Sequence, residues 1–211
     1  MRQFREAPAG RKPTAGLRIV GGVHRGRRLF VPPGDAVRPT SDRAREALFN
    51  ILSHGDFAAA GLPFAERPVL DAFAGTGAFG LEALSRGAGS AVFIERDRAA
   101  LGALRRNIAA LGEEDRARVV AGDATRPPPA RVACAAVFLD PPYKSGLAAP
   151  ALSALTAAGW LAADALAIVE IAASAEALSP PYGFAMLDER VYGAARLVFL
   201  RRVRVSSGGE R

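Results

Sequence analysis

The sequence predicts an α/β fold built on a mostly parallel sheet with helices on both of its faces. From Val69 onward, short apolar runs typical of buried strands alternate with longer stretches of helical periodicity. Such alternation is typical of parallel strands, whose connections cross over a covered face. The chain has 211 residues, half of them hydrophobic and 23% charged, which suits one folded domain and excludes a wholly disordered protein.

The first part of the chain predicts a basic leader, a small β-hairpin and one helix. Residues 1–17 mix Pro, Gly and Arg without a period and are predicted to be disordered. Two short strands are predicted at Arg18–Gly22 and Arg27–Val31, around a turn rich in Gly and Arg. Thr40–Leu52 has helical spacing, and a loop is predicted over residues 54–67. The predicted polar flank of this helix consists of Arg43, Glu46 and Asn50.

The rest of the chain predicts the sheet. Five parallel strands are predicted at Val69–Phe73, Ala91–Ile94, Arg118–Ala121, Ala135–Leu139 and Ala165–Ile171. Helices are predicted at Phe79–Arg86, Arg98–Leu111 and Leu147–Ala158. Residues Trp160–Asp164 are expected to lead into the fifth strand. The final runs, Phe184–Arg190 and Ala195–Val205, alternate in polarity and predict an antiparallel hairpin at the sheet edge, for seven strands in all.

We expect this organisation to divide the chain into functional parts. Residues 1–17 form the leader and 18–53 a hairpin-and-helix unit that covers RNA and cofactor. Residues 54–205 form the catalytic domain and 206–211 a tail.

The net charge of +7 is concentrated at the N-terminus. Residues 1–45 hold eleven Arg or Lys and three acidic residues, a net of +8, whereas residues 46–211 sum to −1. A genome rich in G and C explains why Arg outnumbers Lys by 26 to 2, but it does not explain clustering at one end. A nearly neutral body with a basic N-terminal arm indicates a protein that binds nucleic acid.

Composition also excludes several classes of protein. No apolar run approaches the ~20 residues that span a bilayer, and the N-terminus lacks the apolar segment of a signal peptide. One cysteine and two histidines do not suffice for a disulfide framework or a zinc cluster, so no metal is expected. Cys134 is expected to be a small buried hydrophobe. We expect a monomer located in the cytoplasm.

A glycine loop follows the first predicted strand, in the segment Asp71–Gly80. Gly75, Gly77 and Gly80 satisfy the pattern G-x-G-x-x-G, and Glu95 lies twenty residues past Gly75, at the end of the next strand. In a strand-turn-helix context this pattern predicts a nucleotide site, with the acid on the ribose hydroxyls.

The acidic residues of this region favour S-adenosylmethionine (AdoMet) over a dinucleotide. Asp71 opens the loop, where its charge would oppose a pyrophosphate but suit the cationic amino-acid end of AdoMet. Glu95 would hold the ribose at the opposite end, and Asp123, after the third strand, is placed to contact the adenine edge. Ligands bind at the carboxyl ends of strands in open α/β sheets, where all three acids are predicted to lie.

The fourth strand is followed by Asp140-Pro141-Pro142-Tyr143. Two prolines fix a rigid extended loop whose carbonyls remain able to accept hydrogen bonds. A carboxylate and a proline carbonyl can together hold both hydrogens of an exocyclic amine, and Tyr143 can stack on the base that carries it. This tetrapeptide therefore predicts methyl transfer to an amine, with the protein acting mainly by positioning.

Together these motifs resemble the class I AdoMet-dependent methyltransferases that act on exocyclic amines. Arg18–Gly22, Arg25–Leu29 and Arg38–Asn50 narrow the resemblance to the bacterial small-subunit (16S) rRNA guanine-N2 methyltransferases, the RsmD-like family. With Gly80–Arg86, the resemblance extends from residue 17 to residue 204. It implies a class I methyltransferase sheet that methylates the 2-amino group of one guanine in an assembled or assembling small subunit.

The resemblance also implies roles for individual residues. The implied cofactor-binding residues are Thr40, Arg43, Asp71, Ala72, Phe73, Gly75, Gly77, Glu95, Arg96, Asp123 and Ala124. Asp140, Pro141, Pro142 and Tyr143 would hold the guanine, and the implied RNA-binding residues are Arg18, Arg25, Arg27, Arg28 and Arg38. Tyr143 stands where Phe is also common in the family, and no role is implied for the leader.

Other functions fit parts of this pattern. An adenine-N6 DNA methyltransferase could use the same tetrapeptide, although 211 residues leave no room for a target-recognition region. A glutamine methyltransferase acting on a translation factor would leave the basic arm unexplained, and an NAD(P) oxidoreductase would leave the tetrapeptide unused. A catalytically silent rRNA-binding assembly factor would have no need to retain Asp71, Gly75, Gly77 and Asp140 together.

Overall fold

The fold was analysed in a computed structural model that describes residues 16–32, 42–54, 63–142 and 145–203. These residues contain four α-helices and seven β-strands. In chain order they are α1 (Asp42–His54), β1 (Pro68–Ala72), α2 (Ala78–Ser85), β2 (Ser90–Glu95), α3 (Arg98–Leu111), β3 (Ala117–Ala121), β4 (Cys134–Leu139), α4 (Ala148–Ala157), β5 (Leu161–Ala172), β6 (Phe184–Tyr192) and β7 (Ala195–Arg202). Residues 1–15 of the predicted leader, the tail and residues 204–205 of the last predicted strand lie outside the described residues. Leu17, the last residue of the predicted leader, is buried in the core, so the prediction of disorder is wrong there.

The seven strands form one sheet in the order β3-β2-β1-β4-β5-β7-β6. The first five strands pair in parallel, and β7 pairs antiparallel with both β5 and β6. The predicted parallel sheet with a terminal antiparallel hairpin is therefore confirmed. The last strand of the chain lies inside the sheet, and β6 forms its edge.

Most element boundaries agree with the prediction, and α3 spans the predicted residues. The side chain of Asp97 accepts a hydrogen bond from the Ala100 N–H and begins the helix, and Gly112, with φ 71°, ends it. Strand β5 begins earlier than predicted, at Leu161 rather than Ala165. Leu161 pairs with Cys134 before the register shifts between Cys134 and Ala136, so the segment expected to lead into the strand already belongs to it.

The predicted N-terminal hairpin is present but shorter than predicted, with its strands reduced to one isolated antiparallel bridge between Arg18 and Arg28. The Ile19 N–H donates to the Arg27 carbonyl and the Leu29 N–H to the Leu17 carbonyl, so backbone bonds join the two arms within residues 17–29. Beyond this bridge, side chains take the place of a neighbouring strand. Glu82 accepts a hydrogen bond from the Val20 N–H at 2.8 Å, and the Asn107 side chain bonds to both the N–H and the C=O of Phe30.

Helices cover both faces of the sheet, as predicted. On one face, α1, α2 and α3 share a core with Leu17, Ile19 and Leu29 of the N-terminal segment. On the other face, α4 packs with Trp160 and the β5 residues. The N-terminal segment therefore packs into the same core as the sheet. None of the helices among the described residues is long and apolar enough to cross a membrane.

Candidate active site

The glycine loop connects β1 to α2 and has a left-handed backbone conformation at three alternate positions. Phe73, Gly75 and Gly77 have φ values of 63°, 54° and 87°, all in the left-handed region. A side chain on Gly77 would lie 2.4 Å from Leu104, and one on Gly80 would lie 2.3 Å from Phe93. These two glycines allow α2 to approach its neighbours closely. Gly75 differs, because a Cβ there would meet open space.

Glu95 orients the loop from the end of β2. One oxygen of its carboxylate accepts a hydrogen bond from the Gly75 N–H, and the other accepts from the N–H groups of Arg96 and Asp97, each at 2.7 Å. A carboxylate has about four acceptor positions, so the oxygen facing Gly75 retains capacity for a ligand hydroxyl. The predicted ribose acid is thus rigidly held beside the open side of Gly75.

Asp71 is buried beneath the loop, with 2% of the residue exposed. Its carboxylate accepts a hydrogen bond from the Gly80 N–H at 2.8 Å and so stabilises the first turn of α2. Burial raises the pKa of this carboxyl well above its usual range. The hydrogen bonds from Gly80 and Phe79 lower the pKa, and the charges of Asp140 and Glu95 raise it further.

The three acids Asp71, Glu95 and Asp140 therefore share one electrostatic environment at the carboxyl ends of β1, β2 and β4. Mutual repulsion among carboxylates in one pocket favours a bound cation. The sequence grouped Asp71, Glu95 and Asp123 at these strand ends, whereas the charges that act on Asp71 are those of Glu95 and Asp140.

Asp123 interacts with a different set of groups. It accepts hydrogen bonds from the N–H and hydroxyl of Thr125, and an ion pair of 3.2 Å joins it to Arg96. The Thr125 bonds, followed by Arg96, lower the pKa of Asp123 below its usual value. The bonds to Thr125 close the turn after β3, and the ion pair with Arg96 links that turn to the end of β2. Ala124, next to Asp123, is buried.

The residues after β4 present a carboxylate and one available carbonyl. Asp140 is half-buried, Pro141 is buried and Pro142 is exposed. The Ser145 N–H donates to the Pro142 carbonyl at 3.1 Å, whereas no group in the described residues donates to that of Pro141. The Pro142 carbonyl thus already accepts one hydrogen bond within the chain and keeps one further acceptor position. Tyr143 lies outside the described residues.

The predicted cofactor cover is described only in part. Thr40 lies outside the described residues, and Arg43 is exposed on α1. Of the contacts recorded among the described residues, none joins Arg43 to the three acids. Ala72 is buried in β1, as its place in the central sheet requires.

The predicted RNA-binding arginines are exposed where the structure describes them. Arg18 pairs with Asp42 at 3.0 Å, Arg27 donates to the carbonyl of Ala110, and Arg25 and Arg28 are exposed. Arg38 lies outside the described residues. The turn that carries Arg25 is anchored at the far end of α2, where the Val23 N–H donates to the Ser85 carbonyl at 2.8 Å. It therefore lies at the amino ends of the parallel strands, whereas the three acids lie at the carboxyl ends.

Sequence reasoning missed the residues that join the N-terminal segment to the site. Asn107 donates to the carbonyl of Thr76 in the glycine loop while it holds Phe30. Glu82, fully buried, pairs with Arg86 at 2.7 Å and with the buried Arg45 at 3.7 Å. The sequence offered two signals for these residues. Asn107 is a polar residue on the apolar stripe of α3, and Glu82 is a single acid in the otherwise apolar α2.

Comparison with known proteins identifies the family. A family model described as "Conserved hypothetical protein 95" matches residues 17–201. Ribosomal RNA small subunit methyltransferase D of Escherichia coli strain K12 is 40% identical over 182 residues, which cover 84% of this chain and 85% of that protein. The chain belongs to the ribosomal RNA small subunit methyltransferase D family.

Further relatives agree with this membership. The Haemophilus influenzae member of the family is 35% identical over 182 residues, covering 84% of this chain and 89% of that protein. A solved structure of a putative methyltransferase from Escherichia coli covers 88% of this chain and 97% of its own, with 39% identity and a TM-score of 0.72. An RNA methyltransferase from Salinibacter ruber in complex with S-adenosyl-L-homocysteine, 14% identical, shares the fold with a TM-score of 0.58 over 81% of this chain and 97% of its own.

The resemblance to the family is thus confirmed, and the chain is an AdoMet-dependent methyltransferase with a class I fold. Its own residues fit this cofactor. The open side of Gly75 leaves room that a Cβ would fill, and Glu95 retains an acceptor position beside it. The charges of Glu95 and Asp140 act on the buried Asp71, and this repulsion favours a cationic ligand.

Proposed function

We propose that this protein transfers the methyl group of AdoMet to the exocyclic 2-amino group of one guanine in small-subunit rRNA, giving N2-methylguanosine. The observation that carries this proposal is the Asp140–Pro141 pair, a carboxylate and an available carbonyl beside the acids of the cofactor site. The name and 40% identity of the Escherichia coli relative support the choice of small-subunit rRNA.

The cofactor supplies a methyl group on a cationic sulfonium. Glu95 would hold its ribose, and Asp71 would favour its charged amino-acid end through the field of a buried carboxyl. Asp123, Ala124 and Arg96 would line the adenine side. We assign Thr40, Arg43, Ala72, Phe73, Gly75 and Gly77 to the same binding site.

Asp140 and Pro141 would act on the amine. The nitrogen of an exocyclic amine is a poor nucleophile because its lone pair is delocalised into the ring. Hydrogen bonds from its two N–H groups to the Asp140 carboxylate and the Pro141 carbonyl would favour a more tetrahedral, more nucleophilic nitrogen. After transfer the nitrogen loses one proton, which the half-buried Asp140 can accept and release to solvent. We assign base stacking to Tyr143, with Pro142 shaping the same loop.

We further propose that the substrate is rRNA in an assembled or assembling small subunit, met in the cytoplasm by a monomer. Residues 18–53 would cover RNA and cofactor, and 54–205 would carry catalysis. Arg18, Arg25, Arg27, Arg28 and Arg38 would contact phosphates, because their charges are concentrated in one short part of the chain.

Methyl transfer from labelled AdoMet tests the proposal. Small subunits from a strain that lacks this gene, naked rRNA, duplex DNA and a release factor are the acceptors, and nucleoside mass spectrometry follows. We expect N2-methylguanosine in the subunit sample. Label appearing as N6-methyladenine in DNA would overturn the choice of substrate, and binding of AdoMet without transfer to any acceptor would favour the assembly-factor alternative.

The role of Asp140 has its own test. Asp140→Ala should nearly abolish transfer while calorimetry still detects AdoMet binding, because the carboxylate is assigned to the substrate amine. Asp164→Ala is the matched control, since this acid pairs with Arg67 near the start of β5. This pair lies at the amino ends of the strands, away from the cofactor site. Loss of AdoMet binding in the Asp140 variant would contradict the assignment.

A further inference from the structure

The outward face of α3 is a row of arginines. Arg98, Arg105 and Arg106 are exposed, and so are the small residues Gly102, between them, and Ala109, one turn after Arg106. Arg98 and Arg105 lie seven residues apart, so both project to the same side of the helix. Arg98 stands in the first turn, where a positive charge opposes the helix dipole and so does not serve helix stability.

This row is not neutralised by acids. Elsewhere on the surface, arginines pair with carboxylates, as in Arg67–Asp164, Arg96–Asp123 and Arg190–Asp188. Among the residues that the structure describes, no carboxylate lies within ion-pair distance of Arg98, Arg105 or Arg106. The helix itself contains no acid. The row therefore carries uncompensated positive charge.

The row continues into the basic turn of residues 22–28. The guanidinium of Arg106 lies 4.2 Å from the centre of the Phe30 ring, and the side chain of Arg27 donates to the Ala110 carbonyl at the end of α3. Arg25 and Arg28 are exposed on the same segment. The exposed acids Glu114 and Asp115, which follow α3, mark where this charge ends.

One end of this surface lies at the carboxyl ends of the parallel strands, and the other lies at their amino ends. Helix α3 begins at Asp97, two residues after Glu95 of the cofactor site, and its far end adjoins the turn that Ser85 and Glu113 anchor. Fourteen helical residues span about 21 Å, the length of about six base-pair steps of nucleic acid. A surface of this length and sign fits a phosphate backbone.

We propose that the outward face of α3, with Arg98, Arg105 and Arg106, binds the rRNA backbone and connects the basic turn to the catalytic edge. The inference rests on the proposed function and names the path of its substrate. One RNA segment would follow the helix axis, its phosphates facing the arginines, so that the target base reaches the carboxyl ends of the strands while the basic turn holds the RNA at the opposite edge.

The variant R98Q/R105Q tests the path, because neither side chain forms a hydrogen bond or an ion pair with another described residue. We expect a several-fold higher KM for small subunits with kcat unchanged. In filter binding to the subunits, the slope of log K against log salt concentration should fall by about 1.4 to 1.8, the value for two lost phosphate contacts. AdoMet affinity and thermal stability should match the wild type.

The matched control is R118Q/R131Q, which removes the same charge elsewhere. Arg118 is exposed on β3 and projects to the face opposite α3, since Ala117 and Val119 beside it pack on the α3 side. This control should leave KM and the salt slope unchanged. Equal effects in both variants, or an unchanged slope in R98Q/R105Q, would overturn the α3 path while wild-type transfer still supported the function. Failure of the wild type to methylate subunits would instead overturn the function itself.

Discussion

Phe73 is the residue of the glycine loop whose backbone is under strain. Its φ of 63° lies in the left-handed region, which costs a residue with a side chain about 1–2 kcal/mol. The ring packs against the core beneath α4, and this packing offsets the strain. Packing of the Phe73 ring against the core therefore stabilises the loop conformation in which Gly75 is open to the ligand.

Replacing Phe73 should reverse the usual order of alanine and glycine. In regular structure Gly is about 0.5–1 kcal/mol less stable than Ala, but at a left-handed φ Gly carries no steric cost. We expect Phe73→Gly to be about 1 kcal/mol more stable than Phe73→Ala in urea unfolding. Phe184, buried in β6, is the control, and there the Ala variant should be the more stable. The same order at both positions would refute the strain at Phe73.

Asp71 should make the stability of the cofactor-free protein depend on pH. Its raised pKa means that the folded protein keeps a proton that the unfolded chain releases at a lower pH. This contribution to stability is complete below the unfolded pKa and is lost as the pH rises through the folded pKa. In Asp71→Asn, the free energy of unfolding should therefore decline less steeply with rising pH.

Urea unfolding at several pH values between about 4 and about 8 would measure this difference. Asp123→Asn is the control of opposite sign, because the lowered pKa of Asp123 contributes stability that is lost as the pH falls. Parallel profiles for Asp71→Asn and the wild type would show that the Asp71 carboxyl ionises normally.

The sequence predicted which acids stand at the strand ends but not which backbone groups of the chain they bond to. Asp71, Glu95 and Asp140 could be placed because each follows or ends an apolar strand. The bond from Gly80 to Asp71 and the bond from Gly75 to Glu95 depend on loop dihedral angles, which a residue pattern does not determine. For the same reason, the bond that occupies the Pro142 carbonyl was missed.

Among the elements, the N-terminal turn and α1 are joined to α2 by a buried charge network. Glu82 accepts from the Val20 N–H and from Arg86, and it lies 3.7 Å from Arg45. Arg86 in turn lies over the Phe49 ring, 5.0 Å from its centre. One buried acid thus holds the turn, α1 and α2 in one arrangement.

Removing this acid should be severely destabilising, because Arg86 loses its carboxylate partner and the buried Arg45 keeps only Asp42. We expect Glu82→Ala to lower the free energy of unfolding by about 3–5 kcal/mol in chemical denaturation. Glu46→Ala, on the exposed flank of α1, should change it by no more than about 0.5 kcal/mol. Similar small changes in both variants would mean that the network contributes little to folding.

The elements that the sequence predicted well are those whose ends carry local signals. Helix α3 begins at a capping Asp97 and ends at Gly112, and both residues are visible in the sequence. The two N-terminal strands are shorter than predicted because Glu82 and Asn107, which satisfy the backbone of Val20 and Phe30, follow them by 62 and 77 residues. Partners at that separation are set by tertiary packing, not by local pattern.

For the whole molecule, the interior position of β4 predicts that its residues become accessible to solvent only when the protein unfolds globally. Cys134 begins this strand, which lies between β1 and β5, and burial raises the pKa of its thiol to about 12. Both its burial and its neutral thiol prevent reaction with reagents that require a thiolate.

Labelling of Cys134 at neutral pH should therefore occur only through global unfolding. We expect its rate to follow the free energy of unfolding across urea concentrations and to fall when AdoMet is added. A cysteine at the exposed Ser153 of α4, in a Cys134→Ala background, should react at once under the same conditions. Rapid labelling of native Cys134 would reveal a local opening of the central sheet.

The anchoring of the basic turn also has a consequence for synthesis of the chain. His24 bonds to Ser85 and Glu113, which are translated 61 and 89 residues later. At about 5–20 residues per second, the turn waits about 4–18 seconds for its second anchor. For much of that interval Leu17, Ile19 and Leu29 lack their α2 and α3 core partners, because α2 is complete only at Ser85 and α3 only at Leu111. This turn is therefore made well before its partners and folds late, and its apolar side chains need protection from aggregation until α2 and α3 have been translated.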